Sequence, residues 1–193
     1  WVGRLLRLDL SAFEEIRSDP SATTGAVIVV FAASVFAGFG SWLWALQNSD
    51  LRGVDGTEIF VRSLLLGSII QTLVWFLWVY LTYQVLVRAY GARTDFAELA
   101  RTMGFAFAPV ALSVLIAIIG FAVPFGVIAF AMAVILTNAA IQAASDAEAR
   151  EATMANITGF ASFAIVMGVF ANIAEVGTFG GLAPGIFFFS LDL

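Results

Sequence analysis

RAYGARTDFAELARTMGFAFAPVALSVLIAIIGFAVP, residues 88–124, runs from a short charged loop into a long apolar tract with a proline inside it. Gly91, after Arg88-Ala89-Tyr90, reads as a helix stop. Asp95 with Glu98 opens the next helix, which starts in polar sequence and continues into sequence that suits lipid. Residues 102–145 are 44 positions without a charge. At 1.5 Å per residue one helix of that length would reach about 66 Å. A hydrocarbon core is only roughly 30 Å thick, so the tract must fold back on itself. Gly120, Pro124 and Gly126 supply the punctuation.

Working outward, the chain divides into five spans near 23–46, 64–87, 102–120, 124–144 and 153–174. The expected fold is all-α: a polytopic membrane helical bundle of five transmembrane helices, preceded by an amphipathic interfacial helix. Residues 20–175 form the spanning domain on this reading. Asp19-Pro20 starts the first span, with Asp as N-cap and Pro at the first helical position. Ala33, Ala37 and Ser41 recur every four residues, as do Ser34 and Gly38, and small residues at that spacing let helix backbones approach. Trp42 and Trp44 fit an interfacial aromatic belt. The second span carries Trp75, Trp78, Tyr80 and Tyr83 in its second half. Between these spans Asn48-Ser49-Asp50 and Asp55-Gly56 are turn chemistry. Residues 146–151, DAEARE, form a short charged loop in which Ser145 with Glu148 can cap a helix.

Residues 1–19 are expected to be the interfacial helix. On a wheel Arg4, Arg7, Ser11, Glu14, Glu15 and Ser18 share one face, and Trp1, Leu5, Leu8, Ala12, Phe13 and Ile16 share the other. Lipid contact and packing on the protein's own spans are equally good readings of that apolar arc. Ser11 with Glu14 reads as a capping box where the helix breaks and restarts. At the other end, the Gly-rich and then aromatic tail, 176–193, is read as an extracytosolic interfacial segment. The sequence opens on Trp1 rather than Met, which points to a missing N-terminal piece, and no removable signal peptide is visible.

Composition agrees. Hydrophobic residues make up 61% of the chain and charged residues 12%, against roughly 45–50% and about 25% in a soluble domain. There is no Cys and no His. That excludes disulfides, thiolate nucleophiles, the usual zinc sites and His-ligated haem. No cofactor and no metal are expected. The net charge of -5 opposes nucleic-acid binding, which needs a basic face. With five spans, Arg4, Arg7, Arg17, Arg88, Arg93, Arg101 and Arg150 fall on one side and Arg52 and Arg62 on the other. The positive-inside rule then places the N-terminus in the cytosol and the C-terminus outside.

No span carries a charge at its middle, which argues against an ion pump, proton relay or voltage sensor. Polar residues gather in the arginine-rich half: Asn138, Gln142 and Ser145 on one face of the fourth span, and Asn156 and Thr158 near the start of the fifth. Pro109 frees the carbonyl near Phe105 in the third. Asn138, Gln142, Asn156 and Pro109 could line a polar cavity open to the cytosol. The favoured reading is a packing cluster of interhelical hydrogen bonds that hold the bundle. Gln71, Asn172 and Glu175 read as packing or cap residues. The carboxylates Asp146, Glu148 and Glu151 read as a solvated turn, and no nucleotide, zinc-protease or hydrolase motif is present.

Tyr90-Gly91, the polar run to Phe96, and Ala100-Arg101-Thr102-Met103-Gly104-Phe105-Ala106-Phe107-Ala108-Pro109 together resemble the central motif of the Yip (Ypt/Rab-interacting) family of five-span membrane proteins. In that family a glycine follows the second span, as Gly91 does here. An aromatic-small-small-Pro element lies in the third span, where Phe107-Ala108-Pro109 stands. The aspartate-leucine-tyrosine-glycine-proline signature of the eukaryotic members is not in these residues, so the resemblance is to a prokaryotic-type member. It implies a non-enzymatic scaffold or accessory subunit of a prokaryotic cytoplasmic (inner) membrane. Its partners would be the lipid bilayer and other membrane-protein subunits or further copies of itself. The alternative is a small-solute or lipid transporter that uses the polar cavity.

Overall fold

The computed structural model describes residues 1–47, 56–118 and 120–173. The turn at 48–55, with Arg52, and the tail with Glu175 lie outside the described residues, as does the side chain of Asn172. Among the described residues the regular elements are all helices. Five are long and apolar enough to cross a membrane: Ala22–Gln47, Phe60–Ala89, Phe96–Ala117, Ala122–Ala144 and Ala149–Phe170.

The chain opens with two short helices, α1 (Val2–Leu5) and α2 (Ala12–Ser18). Asp19 then accepts from the Ser21 amide at 2.8 Å, and α3 (Ala22–Gln47) follows. After α4 (Gly56–Ile59), the second spanning helix has α5 (Gly67–Gln84) at its centre. The wider, π-type turns Phe60–Leu66 and Val85–Ala89 flank it. Gly91 ends this run with φ 67°, a left-handed geometry that a Cβ disfavours. Next comes α6 (Phe96–Ala106), capped by the Asp95 carboxylate, which accepts from the amides of Ala97 and Glu98. Helices α7 (Ala122–Ala144) and α8 (Ala149–Ile173) complete the order. Gly120, at φ 84°, marks the turn between the third and fourth spans.

Pro109 changes the third helix. Proline brings no amide hydrogen for the carbonyl four residues back, and its ring crowds that position. The chain tightens there: the Phe107 amide bonds the Gly104 carbonyl at 3.3 Å, and Ala108–Ala117 follows 3₁₀ geometry. Three residues per turn put every third side chain on one line. Val110, Ser113 and Ile116 are all fully buried at that spacing.

The chain divides into two compact units. One comprises Trp1–Val30, Trp75–Pro109 and Met132–Phe163; the other comprises Phe31–Val74, Val110–Ala131 and Ala164–Leu193. In the first, α2 packs on α6 and buries Ala12, Phe13 and Ile16, while Leu99 and Met103 of α6 are buried as well. The apolar arc of the N-terminal segment is thus spent largely on the protein itself. Leu8 departs from that arc, being exposed at a break between the two helices. Ser11 precedes α2 but makes no side-chain cap bond; its hydroxyl donates to Asp9 at 2.6 Å instead.

In the second unit α3 and α5 meet through small residues. The Ser68 hydroxyl donates to the Ser34 carbonyl at 3.1 Å. A Cβ at Gly40 would lie 2.5 Å from the Ser113 carbonyl oxygen and 2.7 Å from Val114 Cα. Such an approach leaves room only for hydrogen. Trp42 packs edge-on to Phe60 and donates its indole N–H to the Gly56 carbonyl at 3.3 Å.

Candidate functional site

The first unit holds the densest polar chemistry, and Trp78 of α5 is its hub. The Trp78 indole is fully buried against Phe107, Phe160 and Phe163. A Cβ at Gly159 would collide with Trp78 and Thr82, so α8 can approach α5 only as glycine at that position. The Trp78 Nε1–H donates to Asn156 Oδ1 at 3.0 Å. Thr137 Oγ1 of α7 lies 3.2 Å from the same oxygen, but its single hydrogen has a closer acceptor in the Val134 carbonyl of its own helix at 3.0 Å. The Asn156 Nδ2 group donates to the Val134 carbonyl at 3.0 Å and to Thr137 Oγ1 at 3.1 Å. An amide has two donors and one carbonyl oxygen with two lone pairs. Both donors and the carbonyl oxygen are engaged, and the network joins three helices.

The residues singled out in the sequence separate here. Asn156 is buried in the network. Asn138 is half-buried, with its Oδ1 3.2 Å from Thr153 Oγ1, whose hydrogen has a closer acceptor in the Ala149 carbonyl at 2.7 Å. Gln142 is exposed, and Ser145 donates to its own helix at the Ile141 carbonyl. Thr158 is exposed and bonds back to Met154. Pro109 is buried. Phe107 of the Phe107-Ala108-Pro109 element serves packing, with its ring edge-on to both Trp78 and Phe163. Asn156 has Thr137, one residue before Asn138, as its α7 partner. One residue rotates a helix by about 100°, enough to exchange the inward side chain for its neighbour. Thr137 and Trp78 were the residues missed. Their signal was a pair of hydrogen-bonding side chains in spans beside one that carries an asparagine.

A charged rim surrounds this core. Arg17 pairs with Glu98 at 2.7 Å and donates to the Ala143 carbonyl at 3.1 Å, tying α2 to α6 and α7. Arg101 is only 8% exposed. It donates to the Arg17 carbonyl at 2.8 Å and to Thr23 Oγ1 at 3.4 Å. The two interhelical loops are stapled together. Asp146 accepts from the Arg93 amide at 2.6 Å, Thr94 donates to the Ala144 carbonyl at 2.8 Å, and Thr94 forms an antiparallel bridge with Ser145. Glu151 caps the Glu148 amide at 3.0 Å. Asp146 and Glu151 therefore serve different backbone donors. Among the described residues no group of three acidic side chains could hold a metal ion. An open cleft of about 400 Å³ at this rim is lined by Tyr90, Glu148, Arg150, Glu151 and Met154.

At the N-terminal edge Arg4 gathers Asp9 at 2.7 Å, Glu15 at 2.7 Å and Ser11 at 3.0 Å, and Trp1 donates to Glu15 at 3.1 Å. The hydrogen bonds from Ser11 and then Arg4 hold the Asp9 carboxyl below the usual carboxylate range. Those from Arg4 and then Trp1 do the same for Glu15.

Five helices long and apolar enough to cross a membrane define an integral membrane protein. The Yip1 domain family model matches residues 5–173, and the chain belongs to that family. No curated protein matches the chain, and no solved structure does.

Proposed function

We propose that this chain is a non-enzymatic membrane scaffold or accessory subunit of the Yip type. Its partners are other membrane-protein subunits or further copies of itself. Its arginine-rich rim faces the cytosol, with the N-terminus inside and the C-terminus outside a prokaryotic cytoplasmic membrane. Residues 1–19 act as an interfacial arm on the spanning domain, 20–175. The observation that carries this reading is the closed Asn156 network. The amide that would be the natural ligand-binding group of a polar cavity is consumed by Trp78, Thr137 and Val134. Its remaining companions do not share its surroundings, since Gln142 is exposed and Asn138 is half-buried beside Thr153. Transport by way of Asn138, Gln142, Asn156 and Pro109 is therefore the weaker reading. What stays available is the rim, where Tyr90, Glu148 and Arg150 are exposed around the cleft.

The test is crosslinking in native membranes followed by purification in mild detergent, with photoreactive groups at Tyr90 and Arg150. A stoichiometric adduct with one membrane protein or with a second copy supports the proposal. A strictly monomeric product, with lipid as the sole crosslinked species, overturns it.

A further inference from the structure

The break between α1 and α2 is built against local preference. Leu8 adopts φ 61°, the left-handed region that side chains disfavour. The Leu8 amide bonds the Leu5 carbonyl at 2.9 Å and the Asp9 amide bonds the Arg4 carbonyl at 3.0 Å. This is a helix-terminating turn, and glycine is its usual occupant. Here a leucine fills it, and that leucine is 68% exposed, with Leu6 at 49% and Leu10 at 46%. The polar groups of the segment are turned to one another: Arg4 holds Asp9, Glu15 and Ser11. Arg7 is exposed and has no ion pair among the described residues. An exposed leucine in a strained backbone gains nothing from water.

The location supplies the missing partner. The Trp1 ring stands edge-on to Phe105 of α6 at 5.4 Å, and Phe105 packs against Gly25 of α3. The turn is thereby held level with Gly25, the fourth residue of α3, and with Phe105, four residues past Arg101, the last charge of the third crossing helix, where a bilayer's polar boundary lies. We propose that Leu6, Leu8 and Leu10 form a wedge inserted at the headgroup–acyl boundary of that bilayer, with Arg7 on lipid phosphate. The contact is made by this turn, not by the apolar arc that α2 buries against α6. Exposed apolar side chains flanked by a free arginine match that boundary in both polarity and charge. The inference does not depend on the scaffold reading.

The chain has no cysteine, so single-site labelling is direct. Leu8→Cys and, as a reference on α2, Glu14→Cys would carry an environment-sensitive dye on the full chain in nanodiscs of phosphatidylcholine and phosphatidylglycerol. Nitroxides placed at the lipid headgroup boundary should quench the dye at position 8 severalfold more than at position 14. Aqueous iodide should show the reverse order. Thermal unfolding matching that of the unsubstituted chain confirms that both variants are folded. Leu8→Gly, which suits the backbone, should keep amide-exchange protection across the turn in detergent yet weaken it in nanodiscs, where the wedge is lost. Equal iodide access at both positions overturns the proposal. So does shielding at position 8 without lipid quenching, because a protein surface would then cover the turn.

Discussion

The two compact units differ in how many of their buried polar side chains are paired. In the first, Asn156, Thr137, Trp78 and Thr82 all find partners across helices; Trp75 Nε1 and Arg101 Nε are its exceptions among the described residues. In the second, Ser34 Oγ, Ser63 Oγ, Ser113 Oγ and both amide atoms of Gln71 are buried with no hydrogen-bond partner among the described residues. The serines are explained by size. Ser34 lies one turn from Gly38, in the seam where the Ser68 hydroxyl reaches the Ser34 carbonyl, and Ser113 presents its backbone to Gly40. Small residues let helices touch, and serine is small whether or not its hydroxyl is used. Directional side-chain bonds weigh more in the first unit and close approach in the second, although both devices occur in each. Gln71 fits neither account, and nothing in its surroundings explains it.

Both units share a dependence on glycine contacts, and breaking those has the largest expected effect. Gly40→Leu and Gly159→Leu should each destabilise the fold by about 3 kcal/mol or more, because the first meets backbone that cannot yield and the second meets the buried Trp78 ring, its carbonyl and Thr82. Thermal unfolding in detergent reads this directly, and an unshifted midpoint for Gly159→Leu would contradict the packing at Trp78.

Asn156→Leu against Gln71→Leu separates the two units. The first substitution strands the Trp78 indole and should cost about 2 kcal/mol, whereas the second removes an unpaired amide and should be neutral or stabilising by about 1 kcal/mol. Equal losses would erase the contrast.

At the rim, Glu98→Gln should cost under about 1 kcal/mol, since its pair with Arg17 is partly solvated. Its clearer signature is faster amide exchange in α2.

Smallest is a pH effect at the N-terminal turn. Asp9 and Glu15 have depressed pKa values in the fold, so their contribution is complete above the ordinary carboxylate range. It is lost as pH falls through the lowered values. The Trp1 indole N–H resonance should move with that titration and stay still near neutrality.

The helices were legible because lipid constrains sequence harshly. Uncharged tracts, Asp19-Pro20, Asp95, Gly91 and Gly120 each mark a boundary that the backbone respects. The interior bonding was less legible. Whether Thr137 or Asn138 faces inward is a rotation of one residue, and composition along a uniformly apolar helix does not fix rotation. In the sequence Trp78 is one of several aromatics in the second half of its span, and only its place among Phe107, Phe160 and Phe163 reveals a buried donor. Leu8 was hidden because a wheel assumes the helix continues through it.

The tightened stretch Ala108–Ala117 also sets a length. At about 2.0 Å per residue, ten such residues extend roughly 5 Å further than the same ten in α geometry. The third helix, Phe96–Ala117, has 22 residues against 30 in Phe60–Ala89. It makes up part of that shortfall by stretching. The proline that costs this helix a hydrogen bond also lets fewer residues match a given bilayer thickness.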